Sequence, residues 1–176
     1  MANFVFIAES LDGYIAKKDG NIDWLLEIPN PGGSDYGYND FIKNIDAVVL
    51  GRITFEKVLS FGGWHYSKPV FVLSNTLKSV GKNLENKAAV IKGDLKSVIK
   101  ELHSKNYTNI YIDGGITIQN FLKEDLIDEM TITQIPIILG SGIPLFGELK
   151  NELRFEHVKT EVLNNALVQS RYKRIR

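Results

Sequence analysis

The feature that most constrains this chain is a set of short, almost wholly apolar runs: Phe4 to Ala8, Ala47 to Leu50, Val70 to Leu73, Ala88 to Ile91 and Asn109 to Ile112. Each is too short for a stable helix, rich in β-branched or aromatic residues, and bounded by turn formers. A strand with no polar face belongs in a sheet covered on both sides. The intervening segments read as helices. Asp40 to Ile45 and Thr54 to Leu59 carry apolar residues at helical spacing. In Asp94 to Lys105, Asp94 is a natural N-cap, and Leu95, Val98, Ile99 and Leu102 form one stripe. Thr117 to Lys123 turns Ile118, Phe121 and Leu122 inward. Strand–helix alternation of this kind predicts an α/β fold with a mostly parallel central sheet and helices on both faces.

The last third of the chain reads differently. Glu129 to Leu139 is a long β-rich stretch, and Arg154 to Leu163 and Ala166 to Lys173 flank Asn164-Asn165, a hairpin turn pair. Antiparallel C-terminal strands should close one edge of the sheet. With 176 residues, no linker and no internal repeat, residues 1–176 are expected to form one domain. The 21 basic and 21 acidic residues cancel, so bulk charge directs the chain to neither nucleic acid nor an anionic membrane. Four basic residues fall between Arg171 and Arg176, which reads as a solvated strand end. The absence of cysteine excludes disulfides, thiolate metal sites and cysteine nucleophiles. No signal peptide or membrane-length apolar run is apparent, and a cytoplasmic location is expected.

Three strand ends carry candidate binding residues. At Leu50-Gly51-Arg52-Ile53-Thr54 a strand passes through glycine into a helix. Its first N–H groups and the Arg52 guanidinium suit a phosphate, although an ordinary turn with a surface arginine has the same pattern. At Asp113-Gly114-Gly115-Ile116-Thr117 two glycines open a second strand-to-helix turn, where missing side chains let a ligand approach the backbone. Leu73-Ser74-Asn75-Thr76 follows a third strand and offers either ribose or phosphate contacts or a capped turn. All three lie at carboxyl ends of parallel strands, the edge along which open α/β sheets bind ligands. After the first strand, Asp12-Gly13 makes a turn that can fold Tyr14-Ile15-Ala16 over a bound ring. Acid–base candidates are few: Asp35 after the Gly32-Gly33 loop, equally a first-turn helix acid, and His65 in a loop. His103 and His157 fall on a helix's polar side and a strand surface, and the histidines share no metal spacing.

Ser10-Leu11-Asp12-Gly13-Tyr14-Ile15-Ala16, Leu50-Gly51-Arg52-Ile53-Thr54-Phe55-Glu56, Leu73-Ser74-Asn75 and Asp113-Gly114-Gly115, in that order, resemble the motifs of the dihydrofolate reductase-like superfamily. Leu126-Ile127-Asp128-Glu129-Met130 and Pro136 to Gly142 are similar to the reductase domain of bacterial riboflavin biosynthesis, in a stand-alone form. The resemblance implies a three-layer α/β/α fold and NADPH as cofactor. Gly51, Arg52, Ile53 and Thr54 would meet the adenosine end and pyrophosphate. Leu73, Ser74 and Asn75 would lie at the 2′-phosphate, and Asp113, Gly114, Gly115, Ile116 and Thr117 would meet the pyrophosphate. Ala8, Ile15 and Ala16 would line the nicotinamide. Dihydrofolate reductases carry an acid on the helix before the Gly-Arg motif, which by position is Asp35, the expected proton donor. The implied activity is hydride transfer to a small conjugated heterocycle of pyrimidine or pterin type. The alternatives are dihydrofolate reductase proper and a nucleotide-binding homodimer without turnover. A homodimer is expected, with Thr131 to Ile135 near a sheet edge available for pairing.

Overall fold

A computed structural model describes residues 1–176. Eight strands form one sheet, in the spatial order β5 (Ala88–Ile91), β4 (Val70–Leu73), β3 (Ala47–Gly51), β6 (Asn109–Asp113), β1 (Ala2–Ser10), β7 (Glu129–Ile135), β10 (Leu167–Arg174), β9 (Phe155–Leu163). The expected runs become β1 (Ala2–Ser10), β3 (Ala47–Gly51), β4 (Val70–Leu73), β5 (Ala88–Ile91) and β6 (Asn109–Asp113). All are parallel to their neighbours in this set. β9 (Phe155–Leu163) and β10 (Leu167–Arg174) form the C-terminal hairpin, with Asn164 and Asn165 both at positive φ, 50° and 55°, as its turn requires. β7 (Glu129–Ile135) is shorter than the expected stretch, stopping before Pro136, which has no N–H to donate; it joins the two sets, parallel to β1 and antiparallel to β10. It is also an interior strand, bonded to β1 on one side and β10 on the other, so Thr131 to Ile135 offers no free edge to a second copy. β5 and β9 are the edges.

Helices cover both faces. α4 (Leu95–Ser104) and α5 (Gly115–Lys123) pack Val98, Ile99, Leu102, Ile118, Phe121 and Leu122 against Val5, Val49, Ile110 and Ile112. Asp94 caps α4 as expected, accepting the Ser97 N–H at 2.9 Å. α2 (Tyr38–Lys43) and α3 (Arg52–Ser60) cover the other face, where Ile42 and Phe55 meet Val48, Leu50, Val70, Val72 and Tyr111. A short α1 (Asp23–Leu26) buries Trp24 against Ile135 and Leu167. No helix is long and apolar enough to cross a membrane. The basic chain end is tied down by its own acids: Arg171 to Glu129, Arg174 to Asp125 and Arg176 to Asp128, at 2.7, 2.7 and 2.6 Å.

Two short strands escape the sequence pattern. β2 (Tyr14–Ala16) pairs antiparallel with β8 (Ile143–Pro144) as a separate ribbon. Asp12 anchors it: its carboxylate accepts the Ser10 hydroxyl at 2.6 Å and the N–H groups of Leu139 and Gly140 at 3.1 and 2.7 Å. The Asp-Gly turn and the Gly-Ser-Gly segment, far apart in sequence, are thus halves of one structure beside the sheet's carboxyl edge.

Candidate active site

The sheet order fixes where a ligand can enter. β3 and β6 are neighbours, with Leu50 opposite Asp113, but α3 leaves β3 toward one face and α5 leaves β6 toward the other. A crevice must open between diverging helices at the strand ends. A cavity of about 810 Å³ lies there. Both helices present their N-termini to it without a side-chain cap, Gly51 and Gly114 being the N-caps. Their first N–H groups are therefore free to meet an anion. The two turns touch. A Cβ on Gly114 would sit 2.1 Å from Thr54 Oγ1, and one on Gly51 would sit 2.9 Å from Thr117 Oγ1. Gly114 also has φ of +90°. These glycines thus serve the packing of one turn on the other, in addition to clearing backbone for a ligand.

The cavity gathers the expected cofactor residues Ala8, Ile15, Ala16, Gly51, Arg52, Ile53, Thr54, Leu73, Asp113, Gly114, Gly115, Ile116 and Thr117. Ser74 and Asn75 do not line it. Ser74 is buried, and its hydroxyl accepts the N–H groups of Thr76 and Leu77 at 3.3 and 3.0 Å, so it caps the turn after β4. The capped-turn alternative holds there, because a short hydroxyl reaches its own backbone before it reaches solvent. Ile22 and Leu25 around α1, with Lys57, Val58 and Phe61 at the far end of α3, form a second half that no motif indicated. The Lys57 ammonium lies 5.7 Å from the centre of the Phe61 ring.

Asp35 is not in the cavity. It is exposed, and its carboxylate accepts the N–H groups of Gly37 and Asn39 at 3.1 and 2.6 Å. Those bonds hold its carboxyl below the usual range. Asp35 stands two residues before the Gly37 N-cap of α2 and bonds the start of that helix, so the structure does not bring the expected proton donor into the cavity. His65 is exposed and outside the cavity as well, while His103 is half-buried with its Nε2 unpartnered, further inside than its polar-face placement suggested.

The acid that the cavity does contain in shelter is Asp113, at the end of β6. Burial pushes its carboxyl up, against the lowering effect of hydrogen bonds from the Tyr66 hydroxyl and the Gly114 N–H, the latter at 2.7 Å. Three phenols surround it. Tyr38 on α2 is pushed up to about 12 by burial and by the Asp113 charge, and Tyr66 and Tyr111 are raised for the same reasons. Tyr66 was invisible in the sequence. It lies in a loop beside His65, and nothing local announces that the loop crosses the strand ends to reach β6.

A model of the RibD C-terminal domain family matches residues 4–169. Protein YwjB of Bacillus subtilis, whose function is uncharacterized, is 42% identical over 97% of this chain and 96% of its own length. The crystal structure of a putative riboflavin biosynthesis protein from Shewanella sp. PV-4 is 54% identical and superposes with a TM-score of 0.97 over 100% of both chains. Dihydrofolate reductase from Enterococcus faecalis, complexed with NADP(H), shares the fold with a TM-score of 0.68 over 98% of this chain and 96% of its own, at 17% identity. With its mostly parallel sheet, antiparallel edge strands and flanking helices, the chain has the dihydrofolate reductase-like α/β/α architecture and belongs to the RibD C-terminal domain family.

Proposed function

We propose that this chain is an NADPH-dependent reductase acting on a small conjugated heterocycle of the pyrimidine or pterin type. The observation that carries this reading is the cavity at the sheet's switch point, where two uncapped helix N-termini converge beside an apolar wall and one sheltered acid. The donor set suits the cofactor's two anionic groups: free N–H groups from α3 and α5 suit the pyrophosphate, and the forked Arg52 cation suits the 2′-phosphate that distinguishes NADPH from NADH. Ala8, Ile15 and Ala16 suit a flat ring, and Ile143 of the paired β8 extends the same apolar wall. The volume accommodates a cofactor ring and a small acceptor together. Bound there, a reduced nicotinamide supplies the hydride.

The chain's own part is to orient the acceptor and manage a proton. The second half of the cavity, with Ile22, Leu25, Val58 and Phe61, holds the acceptor ring by apolar contact. Asp113 supplies the proton. As a C=N or C=O π bond takes up hydride at carbon, the Asp113 O–H bond breaks and a new N–H or O–H bond forms, leaving a carboxylate that solvent reprotonates. Because Asp35 caps a helix on the surface, the arrangement favours this reading over a dihydrofolate reductase using that acid.

The test begins with calorimetric titration of NADPH and NADH, followed by loss of reduced-nicotinamide absorbance with a panel of pyrimidines and pterins. NADPH should bind, and one class of acceptor should be reduced. Arg52→Ala should weaken NADPH about tenfold or more while changing NADH little, as expected for a charge-assisted contact to the 2′-phosphate. Equal loss for both cofactors refutes the 2′-phosphate assignment. Binding of NADPH with no reduction of any acceptor favours a nucleotide-binding protein without turnover.

A further inference from the structure

Tyr66 is delivered to Asp113 from outside the strand-and-helix framework. It sits in the loop between α3 and β4, and that loop is pinned by aromatic packing: Trp64 lies edge-on to Phe55 of α3 at 6.2 Å, and Tyr66 lies against Trp64 at 5.6 Å. The phenol then donates to Asp113 Oδ2, while the Gly114 N–H donates to Oδ1. Each carboxylate oxygen thus has a donor aimed at it. The ionisable neighbours of Asp113 are Tyr66, Tyr111 on the same strand and Tyr38 on α2. All three are phenols, and no cation acts on the carboxyl. A charge appearing on Asp113 therefore has only hydrogen bonds to stabilise it.

We propose that Tyr66 is a positioning residue for the reduction, holding the Asp113 carboxyl toward the acceptor and stabilising the carboxylate left when its proton departs. This rests on the reading of Asp113 as the proton source. The Tyr66 hydroxyl contributes more to the charged form than to the neutral one, so its benefit is realised as the proton leaves. A phenol suits the task because its ring is fixed by Trp64 and its own ionisation is pushed far above neutrality by burial, which keeps it a donor at every working pH.

The test uses the free protein labelled with ¹³C at aspartate carboxyls, titrated by NMR without cofactor or acceptor. Tyr66→Phe keeps the ring on Trp64 and removes only the donor. The Asp113 midpoint should then rise by about one pH unit, a tenfold gain in proton affinity. In the reductase assay the fall in rate at high pH should move up by the same interval, and Asp113→Asn should abolish that limb. An unmoved Asp113 midpoint in Tyr66→Phe overturns the pairing, even if the protein reduces its acceptor normally. A shifted midpoint in a protein that reduces no acceptor upholds the pairing and overturns the reductase reading.

Discussion

Gly114→Ala tests whether the site's geometry rests on the contact between the two strand-to-helix turns. Two costs act at this residue. The backbone has φ of +90° and ψ of 133°, a region essentially closed to residues with a Cβ, which costs about 1–3 kcal/mol. The new methyl would also fall 2.1 Å from Thr54 Oγ1 and 3.1 Å from Thr54 Cβ. Forced overpacking of this kind costs roughly another 1–3 kcal/mol. Together they predict a loss of about 2–6 kcal/mol, centred near 4, and a fall in Tm of roughly 10 °C for a chain of this size. Guanidinium unfolding of four proteins measures it: wild type, Gly114→Ala, Thr54→Ala and the double variant. Thr54→Ala removes the nearest atom but leaves the φ penalty, so the double variant should recover about 1–2 kcal/mol of the loss. Gly51 provides a contrast. Its φ is −80°, open to any residue, and its only close neighbour is Thr117 Oγ1 at 2.9 Å. Gly51→Ala should therefore cost less and be largely rescued by Thr117→Ala. A Gly114→Ala loss under about 1 kcal/mol, or one unaffected by Thr54→Ala, refutes the reasoning.

Asp35→Asn should leave the rate of reduction and its pH profile unchanged while loosening the start of α2, because the carboxylate meets only the Gly37 and Asn39 N–H groups. A loss of turnover with intact helix content, by circular dichroism, would return the acid role to it. Asp46 should govern part of the acid limb of stability. Its carboxylate accepts the N–H groups of Thr108 and Asn109, both at 2.8 Å, which lower it from its ordinary value of 3.8. A group depressed in the folded state contributes stability above its unfolded value and loses it as pH falls toward the folded one. Denaturant unfolding across the acid range should thus show a shallower pH dependence in Asp46→Asn than in wild type. Identical slopes would remove Asp46 from the account.

Much of the framework was legible because its signals are local. Runs such as Ala47 to Leu50 must be buried on both faces whatever surrounds them, and they became interior parallel strands. The Asp94 cap and the Asn164-Asn165 turn were readable because each depends on backbone within a few residues. The strand-end turns were legible for the same reason: a glycine between strand and helix frees N–H groups wherever it occurs, and Gly51 and Gly114 both line the cavity. Ser74 was ambiguous in the sequence because a hydroxyl after a strand serves a turn as readily as a ligand, and only the placement of Thr76 and Leu77 shows that it accepts their N–H groups.

The remainder depends on contacts between residues far apart in the chain. β7 has a strand-like composition wherever it sits, and only its pairing with β1 makes it parallel and interior. β2 and β8 are too short to show a period, and they exist because Asp12 gathers Leu139 and Gly140 across the molecule. Asp35 and Asp113 are both acids within two residues of a glycine in sequence. Solvation separates them: one is exposed on the helix it caps, and the other is sheltered at a strand end under a phenol brought from a loop 47 residues away in the chain. The sequence by itself determined where N–H groups are free for a phosphate, because that follows from backbone geometry. The tertiary structure decided which carboxyl is pushed up and which is held down, because desolvation is a property of everything packed around a group.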